Sequence, residues 1–198
     1  MVIGLTGGIL SGKSTISQLL RQHGAVIIDA DKIGHDLYLP DTEAWKEVVS
    51  AFGDSILGTN NEIDRSKLSS IVFNDYQALK KLEEIMHPKM YKTIKEKILE
   101  LQDNGVEIIV LEAAVLLEAN WNSLVDTIWV TVAPENVIIQ RLKNRVGLTE
   151  EQAKKRIGAQ MSIEQRLQHA DVVINTDCSI EEIEVTVEKL WRGLLKKS

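Results

Sequence analysis

The chain has 198 residues, of which 44% are hydrophobic, and a formal net charge of −6, values that indicate a globular protein large enough to bury a core. The negative charge argues against an electrostatic surface for nucleic acid, and no run of eighteen apolar residues predicts a membrane-spanning helix. A single cysteine, Cys178, excludes an internal disulfide framework and suits a reducing cytosol. The N-terminus lacks the basic segment of a signal peptide, so we expect a cytoplasmic protein with no nucleic-acid or membrane partner.

In chain order, apolar runs alternate with helical patterns. Continuous apolar runs predict short buried strands at residues 2–6, 25–29, 107–111, 127–132 and 171–175. Helices are predicted from about Ser14 to His23, and from about Lys32 to a point before Pro40.

The later helices are marked by their first residues. Pro134 suits the first turn of a helix, and three Ser or Thr residues are followed three positions later by Glu or Gln, the spacing of a capping box. These pairs are Thr149 with Gln152, Ser162 with Gln165, and Ser179 with Glu182. The resulting order predicts an α/β fold with a doubly wound parallel sheet of five strands.

Residues 41–104 interrupt this α/β order. Apolar residues such as Val48 and Phe52 recur there at helical spacing, and we find no convincing strand pattern. We therefore expect a single domain that carries a mostly helical insertion at about residues 41–104. Its core would consist of residues 1–40, 105–140 and 168–198.

Basic residues are concentrated in one later segment. Residues 141–169 contain seven Lys or Arg and three Glu, a net charge of +4, which leaves −10 for the rest of the chain. Such a segment is either a solvated helix face or a mobile arm that meets a polyphosphate, and composition alone does not separate these alternatives.

The stretch "GLTGGILSGKST" contains a phosphate-binding loop. Gly7, Gly12, Lys13 and Ser14 meet the pattern G-x-x-x-x-G-K-[ST] between a predicted strand and a predicted helix. Backbone N–H groups would surround the β-phosphate of ATP, Lys13 would neutralise the β- and γ-phosphates, and the Ser14 hydroxyl would bind Mg²⁺. The alternative is a chance match in an ordinary strand–turn–helix. The predicted ATP-binding residues of the loop are Gly7, Gly8, Leu10, Ser11, Gly12, Lys13, Ser14 and Thr15.

Leu10 stands where such loops often have another glycine. If the backbone there needs a positive φ, a leucine costs about 1–2 kcal/mol. This is small beside several charge-assisted hydrogen bonds to phosphate, so we expect Leu10 to add strain without abolishing ATP binding.

The second strand ends in "DADK", with two carboxylates at positions i and i+2. At the carboxyl edge of a sheet, Asp31 would accept a proton from an acceptor hydroxyl and Asp29 would hold Mg²⁺ through water. The alternative is that an aspartate here caps the following helix.

Several linked segments resemble the dephospho-coenzyme A kinase family. They are "GLTGGILSGKST", "VIIDADKIGHDLY", "IDRSKLSSIVF", "MHPKM", "LEAAVLLEANW" and "RIGAQMSIEQRLQHADVVI", and together they cover nearly the whole chain. The resemblance implies a P-loop kinase fold and Mg²⁺-dependent transfer of the ATP γ-phosphate to the 3′-hydroxyl of dephospho-CoA, the last step of coenzyme A synthesis. The implied substrates are ATP and dephospho-CoA, and we expect a monomer or a weak homo-oligomer.

The resemblance also implies roles for individual residues. Asp31 would be the catalytic base, and Arg65 and His87 would bind the acceptor within the insertion. The segment at about 141–167 would be a lid over ATP, and Asn175 would lie near the adenine ring. The lid arginines implied to stabilise transition-state charge are Arg141, Arg145 and Arg166. The catalytic residues that we predict are therefore Asp31, Lys13 and Arg141, and Arg145 is predicted to bind ATP.

Some positions depart from the family pattern or have simpler explanations. Val146 stands where the family usually has Asp, and Glu112 is an unusual acid at a strand end where a ligand of Mg²⁺-bound water is often found. His87 could equally be a buried histidine beside a helix that starts at Pro88, and each lid arginine could lie on a solvated face.

Three other functions remain open from the sequence. The first is a different small-molecule P-loop kinase, such as a nucleoside or nucleotide kinase. The second is a GTP-dependent switch, but no N-K-x-D-like guanine motif follows a strand. The third is a nucleotide sensor without catalysis.

Overall fold

The computed structural model describes residues 1–72 and 74–196; Phe73, the last residue of the family element that begins at Ile63, lies outside the described residues. The strands are β1 (Val2–Gly7), β2 (Val26–Asp29), β3 (Ile109–Glu112), β4 (Thr127–Val132) and β5 (Val172–Asn175). The helices are α1 (Lys13–Gln22), α2 (Ala30–Leu37), α3 (Glu43–Phe52), α4 (Arg65–Val72), α5 (Tyr76–Asp103), α6 (Glu135–Val146), α7 (Glu150–Gly158), α8 (Ile163–Leu167) and α9 (Ile180–Leu195). Short 3₁₀ helices occupy Asp54–Ile56 and Trp121–Leu124.

The strands form one sheet in the order β2-β3-β1-β4-β5. The β1 strand pairs in parallel with β3 on one side and with β4 on the other, and β4 pairs in parallel with β5. The chain therefore winds in one direction to β2 and β3 and in the other to β4 and β5, which confirms the predicted doubly wound sheet. In such sheets the ligand crevice lies beyond the carboxyl ends of the strands where the winding direction changes, and here the residues after β1 occupy that position.

The chain forms two compact units, Met1–Ile28 with Glu100–Ser198, and Asp29–Leu99. In the first unit, apolar side chains from the strands, α1 and α9 form the main core. Its buried members include Ile3, Leu5, Leu20, Val110, Trp129, Ile174 and Val187. Strands of this kind read as unbroken apolar runs because both faces of the sheet are covered, and this is why they could be located in the sequence.

The second unit, Asp29–Leu99, is helical apart from one isolated antiparallel bridge between Leu57 and Ile63 within its described residues. Helix α2 packs closely on α5, because a Cβ added to Gly34 would lie 3.2 Å from Cε of Met90. Lys89 on α5 forms an ion pair with Glu47 on α3, at 2.9 Å.

The element boundaries differ from expectation at two informative places. Helix α2 begins at Ala30 rather than near Lys32, because the Asp29 side chain accepts a hydrogen bond from the Lys32 N–H and caps the helix. A helix that starts at Pro88, which the alternative explanation of His87 required, is not observed, since Pro88 lies inside α5.

Helix α5 is long enough to cross a membrane but is too polar to do so. It has 28 residues, yet no helix in the described ranges combines the necessary length with an apolar span.

Candidate active site

The loop between β1 and α1 turns tightly beneath the carboxyl edge of the sheet. Gly12 is the N-cap of α1 with φ 97°, and a Cβ there would lie 2.7 Å from Cγ2 of Thr176. A Cβ on Gly7 would lie 2.3 Å from Oγ1 of Thr131. Both positions therefore require glycine, because the side chains of Thr131 and Thr176 approach the backbone. The N–H groups at the start of α1 can bind an anion.

Leu10 has a positive φ of 51°, the conformation in which a leucine is expected to be strained. A leucine in this left-handed region is strained by about 1–2 kcal/mol. Its carbonyl oxygen accepts a hydrogen bond of 3.0 Å from Nη1 of Arg141 on α6, so a distant helix holds the strained residue in place.

Lys13 and Ser14 follow the loop at the start of α1. The Lys13 ammonium donates to the carbonyl oxygens of Gly7 and Gly8, at 2.9 and 3.0 Å, and so lies across the mouth of the loop. The Ser14 hydroxyl donates to Oε1 of Glu112, at 3.1 Å. Glu112, the acid that departs from the family pattern, therefore lies beside Ser14, the predicted Mg²⁺ ligand.

Hydroxyl groups fix the loop to the sheet. Oγ of Ser11 and Oγ1 of Thr131 on β4 are 2.7 Å apart. Oγ1 of Thr176, just after β5, lies 2.8 Å from the Ser11 carbonyl oxygen and accepts from Arg141 at 3.2 Å. Ser11 and Thr176 are both 2% exposed, and buried hydrogen bonds of this kind hold a loop in one conformation.

A pocket of about 170 Å³ opens over the loop and the start of α1. Two lid arginines, Arg141 and Arg145, line it together with most of the predicted ATP-binding residues. Its lining is Leu10, Ser11, Gly12, Lys13, Ser14, Thr15, Arg141, Arg145, Thr176 and Ile183. Gly7 and Gly8 lie just before this lining, at the end of β1.

Asn175 does not line this pocket. It is exposed, and its side-chain oxygen accepts from the Asp177 N–H at 2.9 Å, which closes a turn after β5. The neighbouring Thr176 faces the pocket instead.

Arg166 differs from the other two lid arginines because it is 1% exposed. The guanidinium forms an ion pair with Glu118 and donates to the Ala114 carbonyl oxygen at 3.2 Å and to Oγ1 of Thr6 at 3.3 Å. A solvated helix face is therefore excluded for Arg166. It connects α8 to β1 and to the segment after β3.

In the second unit, the two aspartates of "DADK" have different positions. Asp29 is the N-cap of α2, as the alternative reading of the motif allowed, and Asp31 is exposed in the first turn of that helix. A carboxylate in a first turn is stabilised by the helix dipole.

Arg65, at the start of α4, lies beside α2. Its Nη1 is 3.4 Å from Nδ1 of His35. Burial raises the pKa of the nearby Tyr38, and the positive charge of Arg65 opposes this in part, so the phenol stays protonated and able to donate at neutral pH. His87 is half-buried on α5. Arg65 and His35 therefore place a guanidinium group and an imidazole ring side by side within this unit.

Whether the residues of this site suit Mg²⁺ depends on the donor atoms that they offer. The described residues hold no group of three or more His, Cys, Asp and Glu side chains suited to a metal. Mg²⁺ in phosphoryl-transfer sites is held by one or two protein oxygens together with substrate phosphates and water, and the adjacent hydroxyl of Ser14 and carboxylate of Glu112 match that donor set.

Several residues in and around the site were not predicted from the sequence. They are Thr131, Gln160 and Thr176 at the loop, and Glu118 as the partner of Arg166. A hydroxyl directly after the last strand was a usable signal for Thr176, because residues at carboxyl strand ends face the crevice. No local pattern marks the other three.

Similarity to known proteins extends over nearly the whole chain. The CoaE family model, dephospho-CoA kinase, matches residues 1–182. A dephospho-CoA kinase from Carboxydothermus hydrogenoformans is 44% identical over 194 residues, covering 96% of this chain and 94% of the relative. Another, from Geobacter sulfurreducens, is 40% identical and covers 96% of both chains.

Solved structures share the architecture of the chain. The crystal structure of TT1252 from Thermus thermophilus matches with a TM-score of 0.81 at 28% identity, covering 98% of this chain and 97% of the other. A dephospho-CoA kinase from Campylobacter jejuni has a TM-score of 0.75 at 29% identity and covers 99% of this chain and 98% of its own. A shikimate kinase from Bacteroides thetaiotaomicron, at a TM-score of 0.57 and 15% identity, shares the fold.

Proposed function

Because the chain belongs to the dephospho-CoA kinase family, we propose that it transfers the γ-phosphate of ATP to the 3′-hydroxyl of dephospho-CoA, giving coenzyme A and ADP. This is the last step of coenzyme A biosynthesis. The observation that carries the proposal is the pocket over the glycine loop, where Lys13, Ser14, Arg141 and Arg145 meet.

ATP binding is assigned to the loop and its surroundings. The backbone N–H groups from Leu10 to Thr15 bind the phosphates, and Lys13 exchanges its two carbonyl partners for phosphate oxygens. Ser14 would hold Mg²⁺, with Glu112 or Asp29 reaching the ion through water. When bound, the ion would supply positive charge to neutralise the β- and γ-phosphates. Asn175 contributes to the adenine end from the turn after β5.

The acceptor is assigned to residues of the second unit. Its 3′-oxygen attacks the γ-phosphorus while the bond from that phosphorus to the ADP oxygen breaks. Asp31 accepts the proton of the attacking hydroxyl. Arg65 and His87 bind the acceptor, and the positive charge beside His35 suits the diphosphate that dephospho-CoA carries.

Arg141 stabilises charge that develops on the transferred phosphoryl group, and Arg145 binds ATP beside it. We propose that the segment at about 141–167 acts as a lid, because both arginines enter the pocket from its first helix. Closing this segment would exclude water, which otherwise competes with the acceptor. The insertion at about 41–104 would supply most of the acceptor-binding surface. We further propose that the protein acts in the cytoplasm as a monomer or weak homo-oligomer.

The direct test is ADP release with ATP, Mg²⁺ and dephospho-CoA. We expect rapid ADP release that depends on dephospho-CoA, and only background release without an acceptor. Nucleosides and nucleoside monophosphates are the matched controls. A higher kcat/KM with one of them would favour the alternative, a nucleoside or nucleotide kinase.

The base assignment is tested by Asp31→Asn. We expect kcat to fall by about 100-fold or more, within the usual range for general-base catalysis, while the Kd for ATP stays near the wild-type value. Asp36→Asn is the control, because Asp36 is an exposed acid on the same helix. A full-rate Asp31→Asn enzyme would exclude Asp31 as the base.

A further inference from the structure

Gln160 contacts the phosphate loop directly. The Ile9 N–H donates to Oε1 of Gln160 at 2.8 Å, across 151 residues of sequence. The same oxygen lies 3.6 Å from the position of a Cβ on Gly8. Gln160 is half-buried, so this hydrogen bond is partly shielded from water.

The backbone around Gln160 is fixed on both sides. The residue follows the end of α7, and its N–H donates to the Ile157 carbonyl oxygen at 3.1 Å. Two residues later, Ser162 caps α8 through a complete capping box. The glutamine side chain therefore projects from a defined junction rather than from a loose loop.

The Ile9–Leu10 segment is consequently held at both ends. Gln160 accepts from the N–H of Ile9, and Arg141 donates to the carbonyl oxygen of Leu10 at 3.0 Å. Between these two bonds lies the positive φ of Leu10, at 51°. A leucine without restraint would favour a negative φ, and that rotation would reorient the Leu10 N–H at the pocket.

We propose that Gln160 is a positioning residue that keeps the phosphate loop in its nucleotide-binding conformation by opposing the relaxation of Leu10. Gln160 touches neither reacting atom and acts through the Ile9 amide. The proposal rests on the proposed function only in taking the loop as the ATP site. The α7–α8 junction thus restrains the phosphate loop through Gln160. This restraint would be less necessary if position 10 were a glycine.

A double-mutant cycle on ATP affinity tests this proposal. Gln160→Met keeps the length of the side chain but removes the acceptor oxygen, and Leu10→Gly removes the strain. In the chain that keeps Leu10, we expect Gln160→Met to raise the Kd for Mg²⁺-ATP by about 3- to 10-fold, which corresponds to the loss of one hydrogen bond. In the Leu10→Gly background we expect less than about a 2-fold change, because glycine adopts positive φ without strain.

Gln152→Met is the matched control. Its side-chain oxygen also accepts a backbone N–H, from Thr149 at 2.9 Å, but within the capping box of α7 and away from the loop. We expect it to leave the Kd for ATP unchanged in both backgrounds. Equal losses from Gln160→Met in both backgrounds would overturn the proposal, since a general weakening of the fold predicts additive effects.

A second readout does not depend on nucleotide binding. Hydrogen exchange of the Ile9 amide, followed by NMR without ligand, should be about 10-fold faster in Gln160→Met than in the wild type. Gln160→Glu retains an acceptor and should restore the protection. An unchanged exchange rate in Gln160→Met would overturn the positioning role. A wild-type chain that shows this protection but binds no ATP would instead count against the proposed function.

Discussion

At the residue scale, Glu112 shows how an unusual acid reaches the hydroxyl of Ser14, the residue proposed to bind Mg²⁺. It ends β3, the neighbour of β1, and its Oε1 lies 3.1 Å from Oγ of Ser14. A glutamate side chain is one methylene longer than aspartate, which allows it to reach the hydroxyl from the strand end. The departure from the usual residue therefore preserves a pair of oxygen donors.

We predict that Glu112→Gln raises the Mg²⁺ concentration needed for half-maximal activity by about 10-fold, the usual effect of losing an outer ligand. The maximal rate at saturating Mg²⁺ should change much less. A Mg²⁺ titration of the ADP-release rate measures both quantities. Glu107→Gln, an exposed acid before the other end of β3, is the control. If Glu112→Gln shows the wild-type Mg²⁺ dependence, Glu112 does not contribute to the ion site.

Cys178 gives a second prediction at this scale. Desolvation raises the pKa of its thiol, with the negative charges of Glu182 and Asp177 adding to this and Arg141 opposing it. Less thiolate is then present at pH 7.5, and the thiolate is the reactive form. We expect iodoacetamide to modify Cys178 more slowly than a cysteine in an unstructured peptide, with the rate–pH curve displaced to higher pH.

Unfolding the same chain in urea is the control for this measurement, because Cys178 is the only cysteine and the difference should then vanish. If the folded protein reacts as fast as the peptide, the pKa of this exposed thiol is not raised.

At the scale of elements, the capping boxes determine where helices start. Ser179 accepts from the Glu182 N–H at 3.3 Å, and the Glu182 carboxylate accepts from the Ser179 N–H at 2.9 Å. The helix that they open, α9, covers the main core with Ile183 and Val187.

We predict that Ser179→Ala lowers the free energy of unfolding by about 1 kcal/mol and the melting temperature by about 2–4 °C. Thermal unfolding followed by circular dichroism measures the change. Ser179→Thr retains a capping hydroxyl and should lose much less. Equal losses in the two variants would show that the hydroxyl does not stabilise the helix.

These capping boxes also show which features could be predicted from sequence. Each depends on two residues three positions apart, so a local pattern contains the whole interaction, and all three predicted boxes are confirmed. The rule that proline starts a helix is local as well, yet Pro88 lies within α5. Buried Met86 and Met90 on either side of it indicate that packing outweighs the loss of one helical hydrogen bond.

The contacts that were not predicted join residues that are far apart in the sequence. Arg166 is 48 residues from Glu118, and Gln160 is 151 residues from Ile9. No local pattern links such pairs, because their proximity follows only from the order of the strands. The sequence could therefore predict the loop and its ligand class, but not the side chains that hold the loop in shape.

At the scale of the whole molecule, the predicted ATP-binding and acceptor-binding residues belong to different units. The loop, Arg141 and Arg145 are in the unit that contains the sheet, whereas Asp31, Arg65 and His87 are in the helical unit Asp29–Leu99. If the proposed roles are correct, each substrate should stabilise mainly the unit that holds its ligands, since a ligand stabilises the structure that binds it.

We therefore predict two separate hydrogen-exchange responses. Mg²⁺-ATP alone should slow exchange of the loop, α6 and the turn after β5, with little change in α3 and α4. Dephospho-CoA alone should slow exchange in α2 and α4. Mass spectrometry of peptic peptides resolves these segments. Lys13→Met is the control, because it should remove the ATP response and keep the response to dephospho-CoA. Protection of α4 by ATP as strong as that of the loop would contradict the division of roles, since no residue assigned to ATP's phosphates lies on α4.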